Sequence, residues 1–289
     1  MSSNKFSAKS AVRGAVSIVL FLLLWELGSR SRRWIGADIF TPLRETLGAL
    51  GFKKTYLPWV GAIPAPSEVL AAWAGVITDA GYWQSWYKSM FRVLAGFTAA
   101  MLIGIPFGLL LAVNRTAFGI GFPVFEVLRP IPPLAWVPAS IIFWPTQEMS
   151  IAFVTFLGAF YTIVINVVGG AKSIDQRYFQ AAQSMGSSKW DIFRRIILPG
   201  TLPSIMVGSA VGMGITWEVV VAAEMISGGG SQTGGTGGGG LGFFIWNSYV
   251  GGSYQQIVVG MISIGIAGFI SSELLRALGQ YVTPWLRLR

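Results

Sequence analysis

Four ionisable side chains fall inside stretches apolar enough to cross a bilayer: Glu126 and Arg129 in one, Glu218 and Glu224 in another. A charge at mid-bilayer costs roughly 3 kcal/mol or more unless it is paired or wetted, so these four are the first candidates for a transport path. Glu126 and Arg129 are three residues apart, share one helix face and can neutralise each other. Two readings follow: a structural ion pair, or an Arg129 whose positive potential draws an anion along a pathway. Glu224 adjoins a glycine tract and marks the end of its span, whereas Glu218 lies deeper. Beside Arg129 runs Arg-Pro-Ile-Pro-Pro-Leu-Ala-Trp-Val-Pro, residues 129–138, which places four prolines in nine residues. A regular helix does not continue through that. Irregular backbone at membrane depth survives where it lines a cavity or is buried in protein, so Pro132, Pro133 and Trp136 are candidate path lining, with a packing kink as the alternative.

The residue types that are missing narrow the chemistry further. The chain has no His and no Cys, which removes His- or Cys-based triads, Cys/His zinc sites, His-ligated haem and disulfides. No catalytic residue and no metal ligand is assigned, and a membrane-embedded enzyme has little to work with. No Walker-type phosphate loop occurs either. If ATP is used, its binding and its Mg belong to another chain, and this one carries no cofactor.

Of the 289 residues 53% are hydrophobic and 11% charged, a composition solvated mainly by lipid. The formal charge of +9 is therefore read as a topology signal, with no nucleic-acid partner implied. A span needs about 20 mostly apolar residues. Six windows meet this: 11–28, 91–113, 122–144, 149–168, 201–225 and 257–278. The fold class expected is an all-α membrane protein of about six transmembrane helices. Residues 1–28 form the N-terminal end with the first span, 29–90 an external segment, and 91–289 the five-helix core.

Within the external segment, Ser67 is expected to cap a helix whose Val69, Leu70, Trp73, Val76 and Ile77 make one apolar stripe lying in the interface. Tyr82, Trp83, Trp86 and Tyr87 then form an aromatic belt before the second span. Residues 171–200 carry Lys172, Arg177, Lys189, Arg194 and Arg195, while 145–148 and 228–254 hold no Lys or Arg. The positive-inside rule puts the first connection and both termini in the cytoplasm and the other two connections outside. Arg30, Arg32, Arg33, Arg44, Lys53 and Lys54 dissent, as part of a long external segment. Residues 228–240 contain nine glycines among thirteen and read as a flexible external loop.

The cytoplasmic connection has the most specific pattern. Gln180-Ala181-Ala182-Gln183-Ser184-Met185-Gly186 is followed, nine residues on, by Ile196-Ile197-Leu198-Pro199. Physically this is a short helix with small residues, a glycine turn, a basic second helix and a proline stop, a compact element for another protein's groove. The spacing resembles the EAA-x3-G-x9-I-x-L-P loop of permease subunits in binding-protein-dependent ABC importers. Ala181, Ala182, Gly186, Ile196, Leu198 and Pro199 match, and Gln180 replaces the leading Glu. Further likenesses are Pro64-x-Pro66-Ser67, the proline-rich stretch, and Ala223-Glu224-Met225 before Gly240-Leu241-Gly242. They point to the nitrate, sulfonate/taurine and bicarbonate branch.

The resemblance implies a type I importer in a bacterial inner membrane: a homodimer of permease chains, two ABC ATPases and a periplasmic or lipid-anchored solute-binding protein. The loop would be the coupling helix docking on the ATPase. The solute would be a small anion, nitrate or a related oxyanion first, with bicarbonate or taurine/alkanesulfonate as alternatives. A competing class is a self-sufficient secondary transporter using Glu218 and Glu224 as proton relay groups.

Overall fold

The structure is a computed structural model, and it describes residues 8–34, 46, 49, 63–228 and 239–285. Lys5, Pro42, Arg44, Lys53, Lys54, Pro58, Arg287, Arg289 and most of the glycine tract lie outside the described residues. Among the described residues every regular element is helical. In chain order these are α1 (Ala8–Trp34), α2 (Pro66–Val76), α3 (Ala80–Val113), α4 (Arg115–Leu128), a 3-10 turn (Pro133–Trp136) and α5 (Val137–Phe143). Then follow α6 (Gln147–Lys172), α7 (Gln176–Ser184), α8 (Lys189–Ile192), a π turn (Phe193–Ile197), α9 (Leu198–Gly228), α10 (Leu241–Val250) and α11 (Tyr254–Val282). They form two compact units. One comprises the chain up to Asp79 with Ser248–Val259, the other Ala80–Asn247 with the chain from Gly260 on.

In the first unit α1 is apolar all round, and its side chains from Val12 to Leu24 are exposed, as suits a lipid-facing helix. Near its end Glu26 accepts from Arg30 Nε at 2.5 Å, from the Ser67 hydroxyl at 2.8 Å and from the Ser67 amide at 3.1 Å. Ser67 is thus bound to α1 and does not cap α2, contrary to expectation. The cap position falls on Ala65, whose own amide donates to Glu68 at 3.3 Å, with Pro66 as the first helical residue. Nor is the apolar stripe uniform. Val69 and Val76 are buried, while Leu70 and Ile77 face outward.

The second unit is built on α3, α6 and α9. Lipid offers no hydrophobic drive between helices, so contact depends on close backbone approach at small residues. A Cβ on Gly108 would meet Val167 at 2.8 Å, and one on Gly96 would meet Thr155 at 2.8 Å; both glycines are on α3 and both neighbours on α6. On α9 a Cβ at Gly208 would meet Asn166 of α6 at 2.6 Å. Gly104 and Gly108, and likewise Gly208 and Gly212, are spaced as small-x-x-x-small pairs, and both pairs lie against α6. Helix α3 starts eleven residues before the expected window at 91, so Tyr82 to Tyr87 belong to it. Tyr82 is buried there, its hydroxyl 2.7 Å from Ser263 Oγ on α11.

The expected third span, 122–144, is corrected. It begins at Arg115, capped by Asn114, which accepts from the Thr116 and Ala117 amides at 2.9 and 3.1 Å. It then breaks into α4, the 3-10 turn and α5. Pro130, Pro132 and Pro133 supply no amide hydrogens, so the i to i−4 ladder is lost there. Lys172 Nζ sits 3.5 Å above the Phe118 ring, Phe125 packs on Tyr161, and Ser140 Oγ lies 2.6 Å from Ser150 Oγ. The contacts run from one end of α6 to the other, about 33 Å at 1.5 Å per residue, enough for a hydrocarbon core of about 30 Å. Among the described residues five continuous helices are long and apolar enough to cross a membrane. The broken segment, with α4 and the shorter apolar stretch 133–143, runs alongside α6 and brings the number of apolar segments to the expected six.

Replacing Gly108 by Leu should overpack the α3–α6 seam, costing at least about 1–3 kcal/mol. A lowered melting temperature of the detergent-purified chain checks this. An unchanged one would mean the seam is looser than the backbone approach indicates.

Candidate functional site

The connection between α6 and α9 is shaped mainly by local capping. Asp175 Oδ1 accepts the Arg177 amide at 2.9 Å and starts α7. The helix stops at Gly186, whose φ of +73° is open to glycine and strained for other residues. Its amide donates to Gln183 O at 3.0 Å and the Ser187 amide to Ala182 O at 3.0 Å. A Cβ at Gly186 would touch nothing within 4 Å, so backbone conformation, and not space, demands glycine. Ser188 restarts the chain as cap of α8, accepting the Asp191 amide at 3.2 Å and donating to its carboxylate at 2.5 Å. The π turn then closes with the Leu198 amide bonded five residues back to Phe193 O. Pro199, directly after it, has no amide to offer the helix.

The side chains divide accordingly. Gln180 and Ala181 are exposed, as are Met185 at 78% and Trp190 at 66%. Ala182 is 5% exposed and packs into its own chain. Successive helix residues point about 100° apart, so Ala181 faces outward while Ala182 faces its own chain. Ile196, Leu198 and Pro199 are half-buried. Beside them opens a cleft of about 690 Å³ lined by Asp175, Tyr178, Arg195, Ile196, Pro199 and Trp285. The element shows apolar tips at Met185 and Trp190 on turns fixed by Gly186 and Ser188.

Of the four ionisable residues expected within spans, Glu126 and Arg129 do pair, at 3.0 Å, at the end of α4 before the proline break. Both side chains are nearly half exposed. Pro132 and Trp136 flank and end the 3-10 turn that Pro133 begins. Glu218 is exposed, whereas Glu224 is 1% exposed. Glu224 does more than end a helix. Arg92 Nη1 reaches its carboxylate at 2.9 Å, Ser89 Oγ at 2.8 Å and the Gly242 amide at 2.9 Å. Arg92 also donates to Gly239 O at 2.6 Å and forks onto Glu148, with Nε at 2.7 Å and Nη2 closer. Ser89 in turn accepts the Leu241 amide at 2.8 Å. Three helices and the chain leaving the glycine tract thus meet on one guanidinium and one carboxylate. Gly240, at φ +113°, has no alternative, since a Cβ there would collide with the Glu224 carboxylate.

Arg92, Glu148 and Ser89 were not among the candidates from sequence. Arg92 is the second residue of the 91–113 window and Glu148 stands just before the 149–168 window, positions that look like ordinary span ends. A signal was available in the charge count. Glu224 had no basic residue within its own span, because none occurs between Arg195 and Arg276, so its partner had to come from another helix.

Residues 104–288 match the protein family described as binding-protein-dependent transport system inner membrane component. The chain belongs to that family. This permease is 34% identical over 273 residues to the nitrate import permease protein NrtB of Synechocystis sp. (strain ATCC 27184 / PCC 6803 / Kazusa), covering 94% of this chain and 90% of that one. It is 33% identical over 228 residues to the taurine transport system permease protein TauC of Escherichia coli (strain K12), covering 77% and 80%. Among solved structures it resembles the MetNI methionine ABC transporter in inward-facing conformation, with a TM-score of 0.57 at 19% identity, over 69% of this chain and 95% of that one. That likeness shows the fold. Membership in a binding-protein-dependent family replaces the self-sufficient secondary transporter, the class in which Glu218 and Glu224 were to act as relays.

Removing one member of the buried pair strands the other. Arg92→Met should destabilise the chain by about 3–5 kcal/mol, and adding Glu224→Met should restore part of that. Thermal unfolding of the three purified variants checks it. A double variant no more stable than Arg92→Met would contradict the coupling.

Proposed function

We propose that this permease passes a small anion, nitrate or a related oxyanion, from a solute-binding protein to the cytoplasm, driven by two ATPase subunits that grip the α6–α9 connection. The observation that carries this is the exposed α7 helix, held at a fixed angle by Gly186 and tied through the π turn to α9. A displacement of α7 by a partner is transmitted to a helix that crosses the membrane. No bond in the solute need change. Gln180, Ala181, Gly186, Ile196, Leu198 and Pro199 form the coupling element, with Ala182 holding α7 to its own chain.

The reading places α7 in the cytoplasm with both chain termini and pairs the chain with a second copy around the path. It is supported by the basic residues of 171–200 and by relatives named for nitrate and taurine transport. Bicarbonate and taurine or another alkanesulfonate are the alternative solutes. All are small and need only a few hydrogen-bond donors. The half-exposed Arg129 beside the proline break supplies positive potential on this reading, tempered by Glu126.

Two substitutions test the proposal in vesicles holding the complete transporter with its binding protein. Gly186→Glu should abolish solute-stimulated ATP hydrolysis while the chain still inserts; unchanged stimulation refutes the coupling role. Arg129→Ala should lower nitrate uptake at normal expression, by up to about tenfold for a partly screened charge. Full uptake would remove Arg129 from the path.

A further inference from the structure

Helix α9 packs one side on α6 and leaves another open. Val207, Val211, Gly214 and Glu218 follow one another at spacings of four, three and four, one helical stripe. Val207 and Val211 are 58% and 48% exposed, a Cβ on Gly214 would meet nothing within 4 Å, and Glu218 is exposed. Glu218 stands ten residues before the end of α9 at Gly228, about 15 Å, which is the middle of a core about 30 Å thick. Among the described residues it makes no ion pair or hydrogen bond. Two basic side chains of the α3 and α4 region are committed elsewhere: Arg92 is held by Glu148 and Glu224, and Arg129 by Glu126. A carboxylate so placed is costly in lipid, so its stripe faces water.

We propose that Glu218 lines the translocation path and acts as a charge filter, admitting singly charged or zwitterionic solutes and turning back doubly charged anions. The inference rests on the reading of this chain as an anion permease and specifies its solute class. At about 6 Å and an effective permittivity of about 20, each negative charge on a solute meets a repulsion worth roughly 100-fold in rate. A dianion such as sulfate meets it twice. Two copies around one path would deepen the effect, and Arg129 on a different segment would offset it for monoanions.

This chain has no cysteine of its own, so an engineered one is the single thiol of the permease, measured in a complete transporter whose other subunits are freed of accessible thiols. Gly214→Cys puts one thiol a turn from Glu218, about 5–6 Å away. Its rates of reaction with a cationic (trimethylammonium) and an anionic (sulfonate) methanethiosulfonate give a ratio that reads the local charge. With Glu218 the ratio should favour the cation, and Glu218→Gln should lower it by about tenfold or more after screening. Glu218→Asp should preserve it, which separates charge from packing. A ratio unmoved by Glu218→Gln, or a thiol unreactive to both reagents, overturns the proposal. ATP-driven nitrate uptake is measured on the same vesicles. The expected ratio without nitrate uptake supports the filter and counts against nitrate as solute, whereas uptake without the ratio counts against Glu218.

Discussion

Lipid removes the drive that holds soluble helices together, and this constraint shapes every part of the permease. What remains is close van der Waals contact and the need to satisfy polar groups internally. The first explains why α6 is flanked by glycines of α3 and α9 at Cβ-excluding distance. The second explains why Arg92 and Glu224, both nearly inaccessible, spend their hydrogen-bonding capacity on Glu148, Ser89, Gly239 and Gly242. A buried pair of this kind adds little net stability over an apolar one, yet it fixes which segments must meet. Here it joins the interior of α3 to the start of α6, the last turns of α9 and the start of α10.

From that anchored end α9 runs the depth of the bilayer to the π turn and α7. The same helix thus carries the polar anchor, the open stripe with Glu218 and the element proposed for coupling. On the proposed reading, little beyond α9 is required to link a partner's motion to the path. The broken crossing beside α6 has a different character. Its helical half is stapled by Phe118, Phe122 and Phe125, and its proline half leaves carbonyls without intrahelical donors.

Much of this was legible in the residues because local chemistry determines it. The α7 turn follows from Gly186, the break from Pro130 to Pro133, and the crossings from their apolar length. The Glu126–Arg129 pair needs only helical spacing. Contacts between distant helices were not legible. Arg92 and Glu148 look like span ends until folding brings them to Glu224, 132 and 76 positions away by number. Ser67 resembles a helix cap until Glu26 of α1 claims it. Ala181 and Ala182 look equivalent until the helix turns one of them inward.

On the proposed reading α7 is held by an ATP-hydrolysing partner. Because the chain has no cysteine of its own, a single cysteine at Ala181, on the exposed face, can be crosslinked in intact cells. The account predicts a covalent adduct with an ATPase subunit whose yield changes with nucleotide. No adduct from Ala181, from a chain that inserts and is expressed normally, would contradict it.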